Sequence, residues 1–98
     1  MAATSPVDIG TMIWRTPTIS GSRACIAGTG MSVKCIAGWY KMGLEPEEIM
    51  VKYEHLTIAQ VYAALAYYHA NRDEIEAEMA EDERAEREGA AAARARRS

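Results

Sequence analysis

After Met79 no apolar side chain in this chain is larger than alanine. That fact confines any hydrophobic core to what precedes it. The bulky apolar side chains run from Ile9 to Met79, enough for one small domain, and the last nineteen residues (AEDERAEREGAAAARARRS) cannot bury a face of their own. A helix without an apolar stripe is marginal in water. The tail is therefore expected to fray unless a partner orders it, with Glu81–Arg84 and Glu83–Arg87 giving only local helical support.

Upstream of the tail, Ile58, Val61, Leu65, Tyr68, Arg72, Ile75 and Met79 repeat at alternating steps of 3 and 4, and no Gly or Pro interrupts Thr57–Glu88. This is the pattern of a long helix with one apolar seam. Thr57 and Gln60 form a capping box that opens it. Arg72, the seam's polar member, marks where the helix leaves the core. Two arrangements fit: a straight helix that docks a second chain through the seam, or a bend near Asn71.

Before this helix, Pro46, Glu47 and Glu48 open a short helix of about two turns reaching Tyr53, with Glu54-His55-Leu56 as the turn that follows. His55 is expected to close that turn with a hydrogen bond. Ser32 caps a first helix from Val33 to about Met42, whose apolar face is Val33, Ile36, Ala37 and Tyr40, and Gly43 ends it. Residues 9–31 are rich in Thr, Ser, Gly and β-branched side chains. They read as short extended pieces at Met12–Arg15, Thr18–Ile19 and Ala24–Ile26, with a hairpin around Gly21. The expected architecture is mainly α: a small winged helix-turn-helix-like domain with a short N-terminal β-hairpin and a long C-terminal helix. It divides into a flexible leader (1–8), the domain (9–71) and a charged helical extension (72–98).

The net charge of -3 conceals three blocks. Arg15, Arg23, Lys34 and Lys41 against Asp8 leave residues 1–44 at +3; thirteen acids against four cations leave 45–88 at −9; Arg94, Arg96 and Arg97 leave 89–98 at +3. Such asymmetry suggests separate surfaces for separate partners, or simply solvated acidic faces. If the helix-turn-helix binds DNA, Gln60 and Thr57 stand at the front of the reading helix. Phosphate attraction then falls to Arg23 and Lys34, with Arg15 and Lys41. Residues for chemistry are scarce. The two histidines, His55 and His69, have no ligand-spaced neighbours, no nucleophile–base–acid set is present, and neither a phosphate loop nor a metal loop occurs. No cofactor, metal or enzymatic activity is expected. Cys25 and Cys35, ten residues apart among apolar neighbours, read as buried free thiols in a reducing compartment. No stretch has the length of a membrane span and the start lacks a signal-peptide pattern, so the chain reads as cytoplasmic.

The wording GSRACIAGTGMSVKCI followed by GLEPEEIMVKYEHLTIAQVYAALAYY resembles domain-of-unknown-function family 433, whose members read G-K-P-x-I-x-G-T-R-I-x-V and then G-x-x-P-E-E-I-x-x-x-Y-P-H-L-T. The resemblance spans residues 12–70. It rests on Gly21, Ile26, Gly28, Thr29, Val33, Ile36, Gly43, Pro46, Glu47, Glu48, Ile49, Tyr53, His55, Leu56, Thr57 and the run Ala64–Tyr67. Gly30 replaces the family's Arg after Gly-Thr, and Glu54 its Pro before His-Leu-Thr.

What the resemblance implies is a small winged-helix-like domain, commonly dimeric, related to antitoxins of the VapB type that stand beside PIN-type ribonuclease toxins. On that reading a dimeric body binds operator DNA while a C-terminal arm silences the toxin. Ile75 and Met79 would anchor the arm beside Arg72, and Arg94, Arg96 or Arg97 would neutralise the carboxylates that hold the toxin's Mg²⁺. Trp39, Leu65 and Tyr68 are the candidate homodimer contacts. The alternatives are a protein-interaction or assembly module without DNA binding, suggested by the acidic middle and Gly30, and a stand-alone transcriptional regulator.

Overall fold

The computed structural model describes residues 6–18 and 21–97. Residues 1–5 of the expected leader, and Ile19 and Ser20 at the tip of the expected hairpin, lie outside them, as do the side chains of Arg94, Arg96 and Arg97. The chain is mainly helical. A 3-10 turn at Ile9–Met12 leads into strands β1 (Ile13–Thr18) and β2 (Gly21–Ile26), followed by helices α1 (Val33–Lys41), α2 (Pro46–Val51), α3 (Ile58–Ala70) and α4 (Arg72–Arg97).

The strands pair antiparallel from Ile13↔Ile26 to Thr18↔Gly21. Pro17, which has no N–H to give, is tolerated because β1 belongs to a two-stranded sheet and has one open edge. Met12, expected in a strand, belongs to the 3-10 turn. Asp8 organises that turn by accepting from Gly10 N–H at 2.9 Å, while its carbonyl accepts from the Thr11 hydroxyl at 2.7 Å.

The helix boundaries follow local chemistry. Ser32 caps α1, and Gly43 ends the turn after it at φ +98°, a left-handed conformation that costs glycine little. Pro46 stands at the first position of α2, and Glu48 Oε1 accepts from Glu45 N–H at 2.9 Å in a capping box that fixes the start of the helix. Thr57 and Gln60 form the expected box at α3. The turn between α2 and α3 is closed by Leu56 N–H donating to the Tyr53 carbonyl at 3.0 Å; His55, expected to close it, is exposed.

One core joins β2 and all four helices, with Ile13 of β1 packed against it. Ala24 and Ile26 from β2, Val33, Ile36 and Ala37 from α1, Ile49 from α2, Leu56, and Val61, Ala64, Leu65 and Tyr68 from α3 are buried together with Ile75 of α4. The core therefore crosses the expected domain boundary at residue 71. The long helical pattern is broken at one residue, Asn71 (φ −130°, ψ 45°), whose side-chain amide donates to the Tyr67 carbonyl at 3.1 Å. Of the two arrangements open to the seam, the structure has the bend. The seam's second half folds back on its own chain.

The tail differs from expectation: α4 is helical through Arg97. Its residues are mostly Ala, Glu and Arg, strong helix formers, and Ile75 fixes its first turns, so propagation starts from a nucleus already formed. Its 26 residues make a rod of about 39 Å. The Cα radius of gyration is 16.5 Å, where a compact chain of this length would give about 13 Å. The far half of α4 projects from the body.

Candidate functional site

The first three turns of α4 carry acids along both flanks of Ile75 and Met79: Glu74, Glu78 and Asp82 at steps of four on one flank, and Glu76 on the other. Spacing of four places side chains on one helical face. Each meets a cation from the first half of the chain. Arg15 on β1 lies 3.0 Å from Glu74, and its Nη1 also donates to the Tyr67 hydroxyl at 2.5 Å. Arg23 on β2 lies 3.2 Å from Glu78 and 3.8 Å from Asp82. Lys34 on α1 pairs with Asp82, and Lys41 at the end of α1 lies 2.6 Å from Glu76. Glu76 also accepts from the buried Tyr68 hydroxyl at 2.5 Å.

The basic block of residues 1–44, expected to serve a partner of its own, is thus spent on four of the thirteen acids of residues 45–88. All four cations of residues 1–44 are paired with α4. The pairs are solvated in whole or in part, so together they fix orientation more than stability. The apolar contribution of α4 is narrower. Ile75 is 0% exposed and Met79 packs at the margin of the core.

The ion pairs differ in quality. Lys41 and Tyr68 hold the Glu76 carboxyl below its usual range, and the same bond to Glu76 raises Lys41. Arg15 is raised by its bond to Glu74. Glu78 goes the other way. Burial pushes its carboxyl up, and Arg23 approaches its Oε1 off the direction of a hydrogen bond, leaving that oxygen desolvated and unbonded. Glu76, with a lowered pKa, contributes stability above its unfolded pKa that is lost as pH falls through the folded value. Glu78, with a raised pKa, loses stability as pH rises from its unfolded value through the folded one. Glu78→Gln should therefore flatten the decline in stability on the alkaline side of the carboxylate range and leave the acid limb intact. Urea midpoints between pH 4 and 7 measure this, and an unchanged profile would show that Glu78 is adequately solvated.

Arg23 and Lys34, expected on DNA, converge on Asp82. Thr57 and Gln60 are bonded to each other across the cap: Gln60 Oε1 accepts from Thr57 N–H at 2.8 Å, and Thr57 Oγ1 accepts from Gln60 N–H at 3.2 Å. The carbonyl that Gln60 would turn toward adenine is occupied. Of the expected dimer contacts, Leu65 and Tyr68 lie in the chain's own core. Trp39 is half-buried, donates to the Tyr53 hydroxyl at 2.6 Å and has Lys52 over its ring at 4.3 Å. Of the partner residues, Ile75 is buried, Arg72 is exposed above the Tyr68 ring at 5.5 Å, and positions 94, 96 and 97 lie in the last turns of α4. Cys25 is buried as expected but Cys35 is exposed, because α1 turns its Val33–Ile36–Ala37 face inward. Sequence reading missed Glu74, Glu76, Glu78 and Asp82 as a site; the available signal was three acids at steps of four on a helix that follows four unpartnered cations.

Among the described residues no cluster of three or more His, Cys, Asp or Glu is placed to hold a metal, and no helix is long and apolar enough to cross a membrane. A family model described as a protein of unknown function, DUF433, matches residues 13–68. The chain belongs to the DUF433 family. A solved structure, the crystal structure of a DUF433 member protein from Anabaena variabilis ATCC 29413, is 30% identical, with a TM-score of 0.64 over 71% of this chain and 69% of that one. No curated protein matches. In this DUF433 chain the matched segment ends at Tyr68, so the acidic arm lies wholly beyond it while supplying Ile75 to the core.

Proposed function

We propose that this DUF433 protein is a protein-binding module whose projecting arm, the distal half of α4, captures a protein partner. The observation that carries this is the charge pairing. With Arg15, Arg23, Lys34 and Lys41 engaged by α4 and Gln60 engaged in its cap, the body offers little to DNA, whereas α4 beyond Asp82 presents charged side chains on a helix that stands clear of the core. The partner that fits has both a basic and an acidic region, matching the acids of 81–88 and the arginines of 94–97. A ribonuclease of the PIN type, with an RNA groove and a carboxylate metal centre, has both. The reading is an antitoxin-like inhibitor acting through its arm.

The test is truncation. The cut must spare Asp82, so residues 85–98 are removed. The shortened chain should keep its thermal midpoint, since nothing in that segment enters the core. Co-expression with the product of the adjacent reading frame should lose both co-purification and nuclease inhibition. Full inhibition by the truncated chain would place the binding surface in the folded body instead.

A further inference from the structure

We propose that α4 is an exchangeable element: two copies of this chain can trade it, each arm filling the cleft that α1 and α3 form, rimmed by Arg15 and Arg23 of the hairpin, on the other. The occupant of that cleft is α4 of a second copy, and three observations lead there without reference to any other partner.

The first is the break. Asn71 alone separates α3 from α4, and regular helical bonding persists on both sides of it: its N–H bonds the Tyr67 carbonyl at 2.9 Å, and its own carbonyl accepts from Ile75 N–H at 3.2 Å. The second is the pattern. The seam of Ile58, Val61, Leu65, Tyr68, Arg72, Ile75 and Met79 passes through this point in step, and neither Gly nor Pro enforces the bend. Straightened, residues 58–97 form one helix of about 60 Å. The arm then cannot reach its own cleft. The third is the nature of the attachment. Ile75, Met79 and the five ion pairs all join α4 to elements earlier in the chain. A second copy's arm presents the same groups to the same receptors, so complementarity in charge and shape is complete by construction. Exchange of an identical element reproduces each contact, which makes it a low-cost route to a dimer. It also lets Ile75 and Met79 serve a two-chain interface while remaining buried.

The Lys34–Asp82 pair supplies its own reporter, because a carbodiimide joins an amine to a carboxylate that it already touches. Equal amounts of ¹⁴N- and ¹⁵N-labelled full-length chain are mixed, briefly unfolded together and refolded at concentrations up to millimolar. They are then coupled, and the dimer fraction is digested for mass spectrometry. Asn71→Ala, which favours a continuous helix, should raise the dimer association constant about tenfold, and Asn71→Gly should leave the chain monomeric. In Asn71→Ala dimers about half of the linked Lys34–Asp82 peptides should carry one label of each kind, as exchange between equal pools requires. Circular dichroism confirms that the variants remain folded. Absence of dimers in folded Asn71→Ala, or dimers whose links all carry a single label, overturns the proposal.

Discussion

Replacing Ile75 with alanine is expected to cost about 3 kcal/mol of stability, within the range for a buried Ile truncated in a packed core. Ile75 is 0% exposed and is the member of α4 that reaches the centre of the core, against α1 and α3. The loss has two parts. Removing three carbons leaves a cavity lined by groups that cannot close over it, and the arm then depends on Met79 and solvated ion pairs. Those pairs weaken as salt rises, because exposed charges are screened within about 8 Å at physiological ionic strength. Hydrogen exchange should therefore show α4 protection collapsing in Ile75→Ala, further so at 1 M salt, while α1 and α3 amides keep more of theirs. Urea unfolding gives the total. A loss under about 1 kcal/mol would mean that the charges, and not Ile75, hold the arm.

Tyr68→Ala is expected to cost about 4 kcal/mol, and Tyr68→Phe about 1 kcal/mol. The ring is 1% exposed at the C-terminal end of α3, and its edge packs near Tyr40 and His69 at centroid distances of 6.2 and 5.2 Å. Its hydroxyl donates to Glu76, which Lys41 also holds. Phe keeps the apolar body of the ring and loses one charge-assisted bond whose acceptor retains Lys41. Alanine loses the packing that lines up α3, α1 and the start of α4 together. The contrast between the two variants, read from urea midpoints, separates packing from hydrogen bonding at the point where arm and body meet. Equal losses would show that the hydroxyl bond governs this corner.

Much of the fold was legible before the structure. Ser32, Pro46, Gly43 and the Thr57–Gln60 box act locally, within four residues, and the structure places each where its chemistry requires. What local chemistry could not decide was Asn71. Thirty-two residues without Gly or Pro leave a straight helix and a bend near Asn71 equally open, and the bend is set by tertiary packing: within a single chain, Ile75 gains burial only if the helix turns back. The candidate site was illegible for a related reason. Counting charge by block shows that the two halves differ in sign, but pairing depends on which helical face α4 turns toward the hairpin, and that follows from the bend. The tail was misjudged because an isolated helix is the wrong reference. Anchored at Ile75, its propagation no longer needs a nucleus of its own.

The length of the arm has an electrostatic consequence. Fifteen residues separate Met79, at the edge of the core, from position 94, which is about 22 Å along the helix axis and more than two screening lengths at physiological salt. Charge at the tip is thus invisible to the body, and the body's charge to the tip. Substitutions at positions 94, 96 and 97 are therefore expected to leave the lattice of pairs at Glu74 to Asp82 undisturbed, so that the partner binding proposed for one end and folding at the other can vary independently.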